Sequence, residues 1–315
     1  MDNELGAAAV LNANDPADWF ERNLRSLFDA VLVQLPNAIE PFQTDGIHDM
    51  RVAARRLRSA LRDIDSVVGS RPAKPASKAL KELADALGSV RDEDVAVEAI
   101  EHYLSDPDAA SVRTGIDSLI NARRVRREAA FDALCEKLSV DFQQFLRHRF
   151  ETSLESLVAE LRLTRPGDIH AIGSKVIRSL LNELEPLLGR LYDPFDRKTL
   201  HIARIGTKRV RYAIDLFADA LGNDAGSCSK DFAGMQGFLG DAHDRDVWLR
   251  DLYKLIRAKN RPESASHEEI KAAEWLISEF TKTRTRRYRD ALGLLSEWES
   301  TDLITRLRGL LTVRI

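Results

Sequence analysis

The second half of the chain repeats the first, and this constrains its fold more than any other feature. Residues 24–35, LRSLFDAVLVQL, pair with 177–188, IRSLLNELEPLL, at a shift of 153. Residues 47–64, IHDMRVAARRLRSALRDI, pair with 200–217, LHIARIGTKRVRYAIDLF, at the same 153. LGSVRDEDV at 87–95 pairs with LGDAHDRDV at 239–247, shifted by 152. A looser match joins 123–134 to 284–295 at 161, with the added residues placed around 260–268, in the polar stretch RPESASHEE that begins at residue 261. Four segments in one order at nearly one shift predict two copies of a single folding unit.

Each copy reads as helical. Apolar residues recur at helical spacing over roughly 17–35, 45–69, 76–105, 109–138 and 140–162. The pattern returns over 168–190, 197–221, 226–259, 266–295 and 300–312. Prolines and glycines fall between these segments, apart from Pro186, which is expected to kink or end its helix. No window alternates with period two, and aromatics are only 7% of the chain. The predicted fold is all-α: two tandem bundles, each of four long helices plus a short one, related by a pseudo-twofold. Residues 1–16 are expected to form a disordered tail, with the bundles at 17–165 and 166–315. No apolar run is long enough to cross a membrane. The N-terminus is acidic where a signal peptide would be basic, and Cys135 and Cys228 are far apart, so a reducing cytoplasm is expected.

The helix from Ile47 to Ile64 carries the chemistry. At 100° per residue, His48, Arg51, Arg55, Arg58 and Arg62 share an arc of about 80°. Met50, Ala54, Leu57, Leu61 and Ile64 form an adjoining apolar arc, so the basic stripe borders the buried side. Asp49 and Asp63 are expected to point away from it. His201, Arg204, Lys208 and Arg211 repeat the stripe at 153, while Asp215 stands at the place of Arg62. Arg56 and Arg209 lie on another face and are expected to pair with acids. Further matched basic residues are Arg22 and Arg25 with Lys175 and Arg178, Lys78 with Lys230, Arg91 with His243, and Arg123 and Arg126 with Arg284 and Arg287. The last four suit an ordinary charged helix surface equally well.

Net charge is −3, from 47 basic and 50 acidic side chains, so anion binding must come from arrangement and not from surplus. Like charges held along one lining repel, and a bound anion relieves that repulsion. Arginine grips phosphate with a planar fork, and lysine adds a compact charge. From residue 48 to 58 the stripe spans about 15 Å, which suits a linear polyanion. Phosphate and sulfate would serve as small-anion mimics. Nucleic acid is the rival ligand, but single-strand binders add stacking aromatics, and only Tyr212 adjoins the stripe; a scaffold that docks acidic proteins through the same groove is the third reading. Asp92, Asp94, Asp244 and Asp246 either orient arginines or bind a metal bridging phosphates, and orientation needs no metal. No nucleotide-binding loop or nucleophile motif occurs, so no catalytic residue, cofactor or metal is assigned.

HDMRVAARRLRSALR resembles the signature of the CHAD domain, the conserved-histidine α-helical domain, and LHIARIGTKRVRYAIDLF resembles its second copy. LGSVRDEDV and LGDAHDRDV are similar to the motif on the following helix. The resemblance runs from about residue 17 through nearly the whole chain. It implies two four-helix-type bundles about a basic groove that binds inorganic polyphosphate, without turnover, in a bacterial protein associated with polyphosphate granules. Carried over, the first motif implies His48, Arg51, Arg55, Arg56 and Arg58. The second implies His201, Arg204, Lys208, Arg209 and Arg211.

Overall fold

The computed structural model describes residues 15–40, 44–222, 224–257 and 265–312. All regular structure among them is helical. The first half contains α1 (Pro16–Val33), the single turn α2 (Leu35–Ala38), α3 (Thr44–Val68), α4 (Lys74–Glu101), α5 (Arg113–Lys137) and α6 (Val140–Thr164). The second half contains α7 (Ile169–Leu188), α8 (Arg197–Leu221), α9 (Ala225–Arg257), α10 (His267–Ser300) and the short α11 (Leu303–Leu310). The first half therefore has a full-length fifth helix, α6, where the second has two turns. Pro186 sits inside α7, which runs on to Leu188.

Local chemistry sets the helix ends. Asp15 accepts from the N–H groups of Ala17 and Asp18, and Pro16 supplies a pre-set φ at the first helical position. The expected 1–16 tail thus stops short of Asp15, and its residues 1–14 lie outside the described residues. Asp196 caps α8 through Thr199 N–H at 2.9 Å. Ser266 and Glu269 form a reciprocal capping box at α10. The rest of the expected 260–268 insertion, up to Glu263 and Ser264, lies outside the described residues.

Burial follows the repeat. Met50, Ala54, Leu57, Leu61 and Ile64 are fully buried, as are their counterparts at 153, Ala203, Thr207, Val210, Ile214 and Phe217. Ala76, Leu80, Leu83 and Leu87 on α4 correspond at 152 to buried Cys228, Phe232, Met235 and Leu239 on α9. One apolar core runs from Ala17 to Leu311 and draws on both halves. Within it the Trp19 ring of α1 stacks on Phe217 of α8, centroids 5.8 Å apart. Gly173 leaves room for that ring: a Cβ there would lie 2.7 Å from Phe217 Cγ. A second, smaller cluster joins the far ends of α4 and α5 to α9 and α10 through Ile100, Ile116, Trp248, Leu276 and Phe280. Between the clusters α3 packs against α8, which places the two basic stripes face to face.

The fourth repeat segment needs a different register. Arg127 lies 5.0 Å over the Phe131 ring and bonds Asp94 at 3.0 Å. Arg284 lies 5.7 Å over the Tyr288 ring and meets Asp246 at 3.3 Å. The recurring contacts correspond at a shift of 157, one helical turn from the 161 read from sequence. Arg127, not Arg123, is therefore the counterpart of Arg284. Arginine-rich stretches align almost equally well one turn apart, and only their partners fix the register.

Candidate functional site

The first-turn residues of α3 and the middle of α4 meet through one set of contacts, which the second half reproduces. Arg51 reaches Asp92 at 3.4 Å and lies over Gly88, while Arg204 faces Asp244. Arg91 acts on His48, and His243 packs on His201 with ring centroids 4.9 Å apart. Across the α3–α8 contact, counterparts meet counterparts. Arg51 acts on Arg204, Arg55 on Lys208, and Asp92 on Asp244. A pseudo-twofold passing between the helices would produce such pairings.

The centre of this contact is cationic. Burial lowers the pKa of Arg55, and Arg51, Arg211 and Arg204 push the same way. Burial likewise lowers Arg58, with Arg62 adding to it against Asp85. Lys208 is driven down to about 8, first by burial and then by Arg55, Arg204, Arg51 and Arg62. The Nε atoms of Arg55, Arg58, Arg204 and Arg211 are buried without a hydrogen-bond partner among the described residues. The Nε atoms of Arg209, Arg245, Arg284 and Arg287 are buried in the same way, so what sets this contact apart is the crowding of its cations and not an idle donor.

The histidines line the same region as neutral groups. His48 keeps much of its surface in solvent, yet partial burial, then Arg91, Arg55 and Arg51, lower its pKa. Burial with Arg204 and Lys208 lowers His201, whose Nδ1 has no partner. His243 falls to about 4 through burial, Arg204 and His201. A polyanion would oppose the repulsive part of each shift.

Of the residues read from sequence, His48, Arg51, Arg55, Arg58, Arg91, His201, Arg204, Lys208, Arg211 and His243 come together here. Others go elsewhere. Arg25 is held by Glu21 and by Glu151 of α6, and Arg22 bonds the carbonyl of Asp18. Lys175 and Arg178 line a hollow beside α11, where Arg178 donates to the Leu311 carbonyl. Arg123 and Arg126 share Glu93. Arg284 forms an ion pair with Asp246 and donates to the Pro194 carbonyl, and Arg287 forms ion pairs with Asp241 and Asp290. Lys78 and Lys230 are exposed on α4 and α9. Arg209 does pair with an acid, Glu183 at 2.7 Å, whereas Arg56 is exposed beside Asn23 and Asp215. Asp63 does not point away from the stripe: it is 3% exposed and bonds the stripe residue Arg62 at 3.1 Å. The long Arg62 stem folds back onto its neighbour, which helical angles alone do not anticipate.

A cleft of about 590 Å³ opens beside the central cations. Its wall includes Arg55, Arg58 and Lys208, and also Arg62, Arg71 and Lys74, the last two absent from the sequence assignment. They were legible in RPAKP after α3, but no basic residue repeats them in the second half, so pairing by repeat passes over them. Among the described residues no three His, Cys, Asp or Glu side chains converge as metal ligands.

Fold and cation cluster together define an all-helical protein with a tandem repeat whose matched basic helices face each other. The chain belongs to the CHAD domain family, whose profile matches residues 22–253. Uncharacterised proteins of two Mycobacterium tuberculosis strains are 26% and 25% identical to it over 251 residues, or 78% of this chain. The chain spans about half the length of these curated relatives, 47%. Among solved structures it is similar to the CHAD domain from the plant Ricinus communis, with TM-score 0.70, 23% identity, and 91% and 93% of the two chains covered. It is also similar in fold to PptA from Streptomyces chartreusis, with TM-score 0.61, 12% identity, and 89% and 99% covered. Among the described residues no helix is long and apolar enough to cross a membrane.

Proposed function

We propose that the chain binds inorganic polyphosphate in the groove between α3 and α8, without turning it over, and through it associates with polyphosphate granules in the cytoplasm. One observation carries the reading: Arg55, Arg58, Lys208 and Arg211 crowd together between α3 and α8 with no ion-pair partner among the described residues, and burial with this crowding lowers Lys208 to about 8. A linear chain of phosphates supplies acceptors for all of these groups and relieves their repulsion in one step. The nucleic-acid alternative loses support because Tyr212, the aromatic nearest the stripes, is 5% exposed and its ring offers no platform for a base. Binding without turnover agrees with a lining rich in donors, in which Asp92 and Asp244 face arginines.

The test is binding of long-chain polyphosphate over a salt series, with single-stranded RNA and heparin as competitors. The double change Arg51→Glu and Arg55→Glu should weaken binding by at least about a hundredfold, since each lost charged hydrogen bond costs roughly 1.5–3 kcal/mol. The logarithm of affinity should also fall less steeply with salt. Arg56→Glu, on another face, should leave affinity nearly unchanged. Equal loss from Arg56→Glu and Arg55→Glu, or RNA competing on equal terms, would sink the proposal.

A further inference from the structure

The two halves of the molecule differ at one end of the groove. The 590 Å³ cleft is walled by the end of α3, the connection at 69–73 and the first turns of α4. Seven cations line it: Arg55, Arg58, Arg62, Arg71, Lys74, Lys208 and Arg209. Its one lining carboxylate, Asp65, is engaged by the Ala73 N–H at 3.0 Å. Glu183 holds Arg209 and Asp63 holds Arg62, which leaves the remaining five without an ion-pair partner among the described residues. Tyr212 and Ser77 complete the wall with their hydroxyl oxygens buried. The positive end of the α4 dipole adds to this field.

The matching end of the second half is not built this way. Asp215 stands where the first half has Arg62, Gly226 stands at the place of Lys74, and Ser229, the counterpart of Ser77, donates to Asp215. Along a linear polyphosphate each internal phosphate carries one charge, whereas the terminal group takes a second near neutral pH. The end also stops, which suits a cleft closed by a chain turn.

We infer that the α3–α4 end of the groove is a pocket for the terminus of a linear oligo- or polyphosphate, gripped by Arg71 and Lys74. The inference rests on the reading of the groove as a polyphosphate site. It predicts recognition of chain ends, and binding of short linear oligophosphates at this end alone.

The test measures binding to the full chain, at constant ionic strength, of linear tripolyphosphate, cyclic trimetaphosphate, and long-chain polyphosphate with free or phosphoramidate-capped termini. Arg71→Ala with Lys74→Ala is the variant; both side chains are exposed, and circular dichroism checks that it folds. Linear tripolyphosphate should bind the wild type at least about tenfold more tightly than the cyclic form. In the variant that ratio should collapse, and long-chain affinity should fall by less than about threefold, because the central contacts remain. Capping should weaken the wild type and leave the variant unaffected. A linear-to-cyclic ratio unchanged by the variant, or capping without effect, overturns the end pocket while long-chain binding still supports the groove. Tripolyphosphate binding without long-chain binding overturns the groove reading and leaves the pocket standing as a small oligophosphate site. Binding of neither overturns both.

Discussion

Replacing Lys208 by methionine removes an ammonium and keeps an unbranched stem of similar length. In the unfolded chain this lysine titrates near 10.5, and in the fold near 8, because burial and Arg55, Arg204, Arg51 and Arg62 all disfavour its charge. At about 1.4 kcal/mol per pKa unit, the charged form costs the folded protein up to about 3 kcal/mol. The folded pKa is the lower one, so the unfolded chain binds more protons between pH 8 and 10.5. The penalty is full below pH 8, shrinks across that window and is gone above 10.5. Lys208→Met should therefore stabilise the ligand-free protein by about 2–3 kcal/mol at pH 7, a gain that fades toward pH 10.5. Urea denaturation at low ionic strength reads this; guanidinium salts would screen the repulsion. Long-chain polyphosphate should reverse the order, stabilising the wild type more than the variant. A variant that is less stable at pH 7, or whose gain is independent of pH, refutes the argument that these cations meet without compensation.

Three further outcomes are expected. His243 titrates near 4 in the fold and near 6.5 unfolded, so wild-type stability should fall as pH drops through that window, and His243→Asn should remove the fall. The ring is partly exposed, so solvent screening limits the effect to roughly 1 kcal/mol, measurable by urea midpoints from pH 4 to 7. Gly115→Ala places a Cβ 2.2 Å from the Glu268 carbonyl oxygen of α10; it should destabilise by about 1–3 kcal/mol and raise hydrogen exchange at the far ends of α5 and α10. Phe217→Ala empties the contact shared by α1, α7 and α8 and should cost about 3–5 kcal/mol in a single urea transition; separate transitions for the halves would argue against one shared core.

The helices and the stripes were legible because they are short-range facts. The 3.6-residue period puts His48, Arg51, Arg55 and Arg58 beside Met50, Ala54 and Leu57 whatever else the chain does. Partners were not legible where the side chain is long. Arg25, Arg123 and Arg126 repeat in sequence like Arg51, yet their stems carry them to Glu151 and Glu93. Asp63 was misplaced because Arg62 folds back across a helical angle that separates their Cα–Cβ bonds. Arg71 and Lys74 escaped because the repeat, the most useful filter on the chain, discards whatever occurs only once.

The sequence by itself determined that the chain is helical, that its second half repeats the first in sequence, and that each half carries a basic stripe at the edge of its apolar face. Periodicity and self-similarity suffice for that, since both are properties of neighbours along the chain. Only the tertiary structure decided that α3 packs on α8, so that Arg55 and Lys208 confront each other and lose both water and counter-charge. It also decided that the cleft gathers unrepeated cations, while Asp215, the counterpart of Arg62, lies outside it and is paired with Ser229. The reason is that charge–charge energies depend on through-space distance and burial, and neither quantity exists until distant helices are packed.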